Sequence, residues 1–208
     1  GSGLVGSEMC IRDRESYYQE IGRAGRDGMP AETLMFYSFA DIATIQSFIE
    51  ESGQPALNTE KLNRMKEYCE SPVCRRRVLL SYFNESLKHD CGNCDVCLDP
   101  PQRFDGTTVA QIALSAVIRL NQQVGITMLI DVIRGSGRAE IIQRGYDRIK
   151  TYGAGRHLSF SEWNFYIGQM LQLGVIDIAY NERNRLTITP YGQSILRGEA
   201  TLMLARYK

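Results

Sequence analysis

Apolar residues along this chain of 208 residues recur mostly three or four positions apart, which predicts a mainly helical protein. Ser16 and Gln19 have the spacing of a capping box for a short helix from Tyr17 onward, halted by Gly22, Gly25 and Gly28. Thr33-Leu34-Met35-Phe36-Tyr37 is rich in β-formers and predicts a strand. Ile42, Ile45 and Ile49 mark a helix stopped near Gly53, and Leu62, Met65 and Cys69 mark the next. Ser71 as cap and Pro72 at the first helical position predict a third, with Val78, Leu79, Tyr82 and Phe83 on its inner face. Pro100-Pro101 then marks a boundary.

The second half has a different rhythm. Ile112, Ala113, Ala116, Val117 and Leu120 make one amphipathic helix, and Leu129, Ile130 and Ile133 a shorter one ending at Gly135. Ser159 and Glu162 form a capping box ahead of Trp163, Ile167, Met170 and Leu171, and Gly174 ends that helix. Val175–Ile178 and Leu186–Thr189 read as strands around the polar turn Asn181–Asn184, and Pro190 opens a last helix. Three helices followed by a hairpin is the order of a winged helix, which presents a helix and a β-wing to a duplex.

Cysteines add chemistry to this frame. Cys91, Cys94 and Cys97 form Cys-x2-Cys-x2-Cys in a turn-rich stretch, and Cys74 lies upstream. Four thiolates at this spacing suit tetrahedral Zn²⁺ and leave no position for a substrate, so the predicted site is structural. An iron–sulfur cluster is the competing reading, but its bacterial pattern continues x3-Cys-Pro, whereas Leu98, Asp99, Pro100 and Pro101 follow here. Disulfides fit less well, since no secretory signal precedes the spacing. Cys69 reads as a small buried apolar residue and His89 as a loop histidine.

Charge divides the chain. Residues 15–105 carry 10 Lys+Arg and 15 Asp+Glu, net −5, whereas residues 106–208 carry 12 and 7, net +5. The basic half points to an anionic partner, with nucleic acid leading, although so modest an excess also fits a plain solvated surface. No apolar run approaches the ~18 residues needed to span a membrane. Residues 1–14 look like a linker and an in-frame adapter scar, so Cys10 and Met9 stand outside fold reasoning and the native segment is expected to begin partway into a larger protein.

Gln19-Glu20-Ile21-Gly22-Arg23-Ala24-Gly25-Arg26-Asp27-Gly28 sets two guanidiniums three residues apart, which would share one helical face. Arginine's planar, permanently charged fork suits phosphate, and an arginine at a transferring γ-phosphate stabilises the transition state. By spacing alone, a solvated basic turn fits equally well.

The stretch from Gln19 to Gly28 resembles motif VI of superfamily 2 helicases in its RecQ form. Cys74-Arg75-Arg76-Arg77 through Tyr82-Phe83, with Cys91 to Pro101, is similar to the RecQ zinc-binding module, and Tyr152-Gly153-Ala154-Gly155-Arg156 resembles the family's winged helix. The likeness runs from about Glu15 to the end in the family's domain order. It implies the torn end of a RecA-like lobe over 15–56, a helical zinc-binding module over 57–103 and a winged-helix domain over 104–208.

The resemblance further implies an ATP-dependent 3′–5′ DNA helicase of recombination and repair, in the bacterial cytoplasm and associated with the nucleoid. Arg26 would be the finger at the γ-phosphate, with Arg23 beside it or coupling the motor lobes. Cys74, Cys91, Cys94 and Cys97 would hold zinc. Arg134, Arg138, Lys150, Arg156, Ser159, Arg183 and Arg185 become candidates for duplex phosphates, and Tyr180 for the wing aromatic that parts the last base pair in some members. ATP and Mg²⁺ would serve only the full-length enzyme. Expected partners are DNA junctions of duplex and single strand, and a single-stranded-DNA-binding protein; the expected state is a monomer.

Two departures from the family matter. The chain holds no Gly-x-x-x-x-Gly-Lys-Ser/Thr and no Asp-Glu-x-His, so it is expected to bind DNA without hydrolysing ATP. Tyr146 stands where the family usually has histidine. The alternative is a stand-alone zinc and winged-helix regulator, which would need dimerising helices and two half-sites and has no use for Gln19–Gly28.

Overall fold

Helical periodicity in the first seventy residues resolves into three helices: α1 (Arg14–Ile21), α2 (Phe39–Glu50) and α3 (Pro55–Glu70). The computed structural model describes residues 14–83, 85, 87, 89–179 and 184–207. It divides into one compact unit ending at Ser71 and a second starting at Pro72. No described helix is long and apolar enough to cross a membrane.

In the first unit α1 packs on α3 through the tilted ring pair Tyr17 and Tyr68, 5.3 Å between centroids, and through Arg14, whose Nε donates to the Arg64 carbonyl at 2.8 Å. Ile49 of α2 and Leu62 of α3 are buried, as their periodicity requires. Ser38 caps α2 by accepting from the Asp41 amide, and Pro55 occupies the first turn of α3.

Two expectations fail here. Ser16 does not cap α1, because helical geometry already holds at Arg14 and leaves no helix start at Ser16. Thr33–Tyr37 forms no strand among the described residues. The alternation survives, with Leu34 and Phe36 at 80% and 87% exposure and Met35 and Tyr37 half-buried, but no neighbouring backbone edge supplies the ladder that defines a strand.

The second unit contains α4 (Arg75–Tyr82), α5 (Asp95–Leu98), β1 (Arg103–Asp105), α6 (Thr107–Arg119), α7 (Ile126–Arg134) and α8 (Ala139–Gln143). It continues with α9 (Phe160–Gln172), β2 (Ile176–Ala179), β3 (Arg185–Ile188), α10 (Pro190–Leu196) and β4 (Met203–Ala205). The expected helix start at Ser71-Pro72 moves to Arg75, with Cys74 as its N-cap. The backbone at Cys74 is non-helical (ψ 125°), which carries this buried residue into the cysteine cluster before α4 begins.

The winged-helix order is borne out in the second unit. α6, α7 and α9 enclose a core of Leu114, Val117, Leu129, Ile130, Ile133, Trp163, Ile167 and Met170. β2 and β3 pair antiparallel from Ile176↔Ile188 to Ala179↔Arg185. β3 is tied back to the α6–α7 turn, where Leu186 donates to the Val124 carbonyl and Ile188 to Gln122 Oε1, each at 2.9 Å. Gly135 stops α7 in the left-handed conformation at φ 77°, and Ser159 with Glu162 forms the expected capping box. β1 and β4, which the sequence reading did not anticipate, pair antiparallel and close the two ends of the domain on each other. The wing-turn residues Tyr180 and Arg183 lie outside the described residues.

Two glycines sort by what a methyl group would meet. A Cβ on Gly192 would collide with the Val175 carbonyl oxygen and lie 2.9 Å from Ile188 Cγ2, whereas one on Gly168 in α9 meets nothing. Gly192→Ala is expected to destabilise by about 2 kcal/mol. Gly168→Ala is expected to stabilise by about 0.5–1 kcal/mol through helix propensity. Denaturant midpoints measure both.

Candidate metal centre and nucleic-acid interface

Cys74 enters from the N-cap of α4 and is fully buried, while the other three thiols sit on the loop around α5. Gly92 at φ 77° turns the chain between Cys91 and Cys94, a conformation glycine adopts without a steric penalty. Cys94 caps α5, and Cys97 follows one turn later with its amide on the Cys94 carbonyl at 2.9 Å. The four Sγ atoms lie within 4.8 Å of one another, with Cys94–Cys97 at 3.4 Å and Cys91–Cys97 at 3.9 Å.

Zinc bound by four thiolates at about 2.3 Å needs sulfur–sulfur separations of about 3.8 Å, so the cluster fits zinc with small adjustments. The same separations are far too long for disulfides, which need about 2.05 Å. His89 and Cys69 lie outside the cluster. All four positions of a tetrahedron are taken by protein, which makes the zinc structural.

Salt bridges brace the cluster from outside. Arg75 donates to Asp95 through Nε at 2.9 Å and Nη2 at 2.8 Å, joining the neighbour of Cys74 to the neighbour of Cys94. Arg77 donates to Asp90, beside Cys91, at 3.3 Å. Arg76 points to solvent, as expected of three consecutive helical arginines that cannot share one face. Asp90, Asp95 and Arg103 were not singled out from the sequence; adjacency to Cys91 and Cys94 was the available signal for the two aspartates, and Arg103, six residues past Cys97, had none.

The thiols differ in acidity. Burial pushes Cys74 up, and burial with the neighbouring Cys94 pushes Cys97 up to about 12. Burial also pushes on Cys91, but the Asn93 amide and the Cys74 side chain outweigh it and bring that thiol down to about 7. Zinc must displace the protons that remain.

The basic candidates meet at the start of α9. Arg134 Nε donates to the Leu158 carbonyl at 3.2 Å, one residue before the Ser159 cap. Arg156 Nε donates to the Gly153 carbonyl at 3.1 Å. The loop beneath is tied to the end of α7 by Gly153 N–H to Val132 at 3.0 Å and Gly155 N–H to Ile133 at 2.7 Å. Trp163 Nε1 donates to the Gly155 carbonyl at 2.8 Å, and Tyr152 Oη to the Ser136 carbonyl at 3.1 Å. Arg134 is thereby held beside the Ser159 cap at the positive end of the α9 dipole, and Arg156 on the loop that leads into it. Hydrogen bonds from the Ser159 backbone and side chain hold the Glu162 carboxyl below its ordinary value, with a smaller contribution from the charge of His157 on the same loop.

Other candidates stand apart. Arg138 is answered by Asp131 and, at 4.0 Å, by Glu140. Lys150 is exposed and makes no ion pair among the described residues, and Arg185 is half-buried on β3. Arg23 and Arg26 are exposed on the turn that follows α1 rather than on a helical face. The helix ends at Ile21, and Gly25 and Gly28 adopt φ 72° and 78°.

Comparison with known proteins agrees with this geometry. The RQC domain family matches residues 100–208, and the RecQ zinc-binding family matches residues 39–98. The chain is 41% identical over 198 residues to the ATP-dependent DNA helicase RecQ of Haemophilus influenzae, covering 93% of this chain and 32% of that protein. It is 34% identical over 194 residues to the ATP-dependent DNA helicase RecQ of Bacillus subtilis, covering 92% and 33%. It is 30% identical over 198 residues to the ATP-dependent DNA helicase hus2/rqh1 of Schizosaccharomyces pombe, covering 91% and 15%. The chain spans about a third of the length of the two bacterial relatives.

Because zinc competes with protons for the thiols, its affinity rises with pH. Competition against a chromophoric chelator is expected to weaken at least about tenfold between pH 8 and pH 6. Asp95→Asn at constant pH is expected to cost about tenfold or more through the loosened Cys94. Cys69→Ser should leave zinc affinity unchanged.

Proposed function

This chain belongs to the RecQ helicase family through its RQC domain and RecQ zinc-binding region, and from that premise we propose that it is the DNA-gripping part of an ATP-dependent 3′–5′ DNA helicase. Residues 15–56 are read as the end of a motor lobe, 57–103 as the zinc-binding module and 104–208 as the winged helix. The observation that carries the reading is the placement of Arg134 and Arg156 beside the capped N-terminus of α9, where two guanidiniums and the positive end of the helix dipole suit a backbone phosphate.

In this reading α9 and the wing hairpin hold duplex at the junction with single strand. Contacts are to phosphate, so binding is blind to base sequence. Lys150, Arg183 and Arg185 extend the same electrostatic surface, and Tyr180 meets the last base pair. Arg138 contributes less than its sequence position suggests, because Asp131 already neutralises it. Arg23 and Arg26 act only when the remainder of the motor closes an ATP and Mg²⁺ site around them, with Arg26 reaching the γ-phosphate. Zinc holds the module between motor and winged helix in shape. The intact protein serves DNA recombination and repair as a monomer on cytoplasmic, nucleoid-associated DNA, with a single-stranded-DNA-binding protein as a further partner.

Fluorescence anisotropy on a duplex with a 3′ single-stranded tail tests this. Micromolar binding should fall steeply with salt and ignore base sequence. Arg134→Gln and Arg156→Gln should each weaken it and lower the salt slope by about 1. Preference for an inverted repeat would favour a regulator, and DNA-stimulated ATPase from the chain alone would contradict the division of labour.

A further inference from the structure

One carboxylate, that of Asp90, joins two parts of the second unit. Its Oδ1 accepts from Arg77 Nη1 of α4 at 3.3 Å, and its Oδ2 accepts from Arg103 Nη1 of β1 at 3.2 Å. The side chains of Asp90, Arg77 and Arg103 are 28%, 22% and 33% exposed, so solvent screens these pairs less than it would on an open surface.

Asp90 immediately precedes the cluster thiol Cys91, and Arg77 lies in the helical turn that Cys74 begins. A zinc tetrathiolate carries two net negative charges, so an acidic side chain beside it is favourable only if it holds cations there. Arg103 takes the contact onward. Its strand pairs with β4, and its neighbour Phe104 packs edge-on against Tyr166 of α9 at 5.6 Å. Ala205 of β4 exchanges two hydrogen bonds with Gln169 of α9, at 3.1 and 2.8 Å. Contacts therefore run unbroken from the cysteine loop to the helix whose N-terminus gathers the basic residues.

We propose that Asp90 is the positioning residue through which the cysteine loop fixes the β1–β4 pair and, through that pair, the seating of α9. The coupling concerns this chain's own fold and stands independently of the DNA reading.

Amide deuterium exchange on the metal-loaded chain tests it, with cobalt(II) absorption reporting whether the tetrathiolate is intact. Asp90→Asn is compared with the wild type in samples whose cobalt spectrum shows four thiolates bound. It should speed exchange two- to fivefold, the scale of about one partly covered ion pair, across 102–106 and 202–206. Arg103→Gln should do the same from the β1 side, Asp90→Glu should restore the slow rate, and Asp99→Asn, an exposed carboxylate on the same loop, should leave the β1–β4 rates alone. Wild-type rates in Asp90→Asn or in Arg103→Gln overturn the proposal, as does equal acceleration by Asp99→Asn. If Asp90→Asn fails to hold cobalt, Arg103→Gln, which keeps the Arg77–Asp90 pair, decides alone.

Discussion

Closure of four sulfurs on one point is the constraint that the region from Val73 to Arg103 depends on. The loop around α5 has almost no core of its own: Val96 is buried, while Leu98 is 73% exposed. Burying one valine contributes about 1.5–3 kcal/mol, whereas structural zinc in small modules contributes about 10–16 kcal/mol. The metal therefore dominates, and the Arg–Asp pairs at Cys74, Cys91 and Cys94 act as braces that aim the thiols. Distance within the chain matters too, because Cys74 comes from a helix and the others from a loop, so one ion joins segments that no continuous apolar core connects.

The winged helix is organised by opposite means. Its core of Leu114, Ile130, Trp163 and Ile167 is fully buried and requires no metal. What the domain offers a partner is positional. Trp163 and the glycine loop fasten residues 149–158 to the end of α7, so Arg134 and Arg156 are held beside the α9 cap rather than left as long flexible chains. Side chains already held lose less entropy on meeting a phosphate.

Periodic apolar runs made the long helices legible, because burial on one face leaves a clear 3.6-residue trace in α2, α3, α6, α7 and α9. The Ser159–Glu162 box and Gly135 were legible for the same local reason. Local signals failed where a distant residue decides. Ser71-Pro72 looks like a helix start, yet Cys74 takes non-helical backbone where it joins the cysteine cluster, which delays α4 to Arg75. Thr33–Tyr37 has a strand's composition, but a strand requires a neighbour. β1 and β4 are three residues each and come from opposite ends of the domain, too short and too separated to leave a pattern. At the site, cysteine spacing revealed the metal cluster in full. Among the basic candidates, the Asp131 partner that neutralises Arg138 had no spacing signal, since a bend at Gly135 brings the two together.

X-ray absorption at the zinc edge tests the central claim most directly, because it counts the atoms around the metal without reference to fold. Four sulfurs at about 2.3 Å and no lighter neighbour are predicted. A nitrogen or oxygen in the first shell, or a short iron distance in place of zinc, would contradict closure by Cys74, Cys91, Cys94 and Cys97.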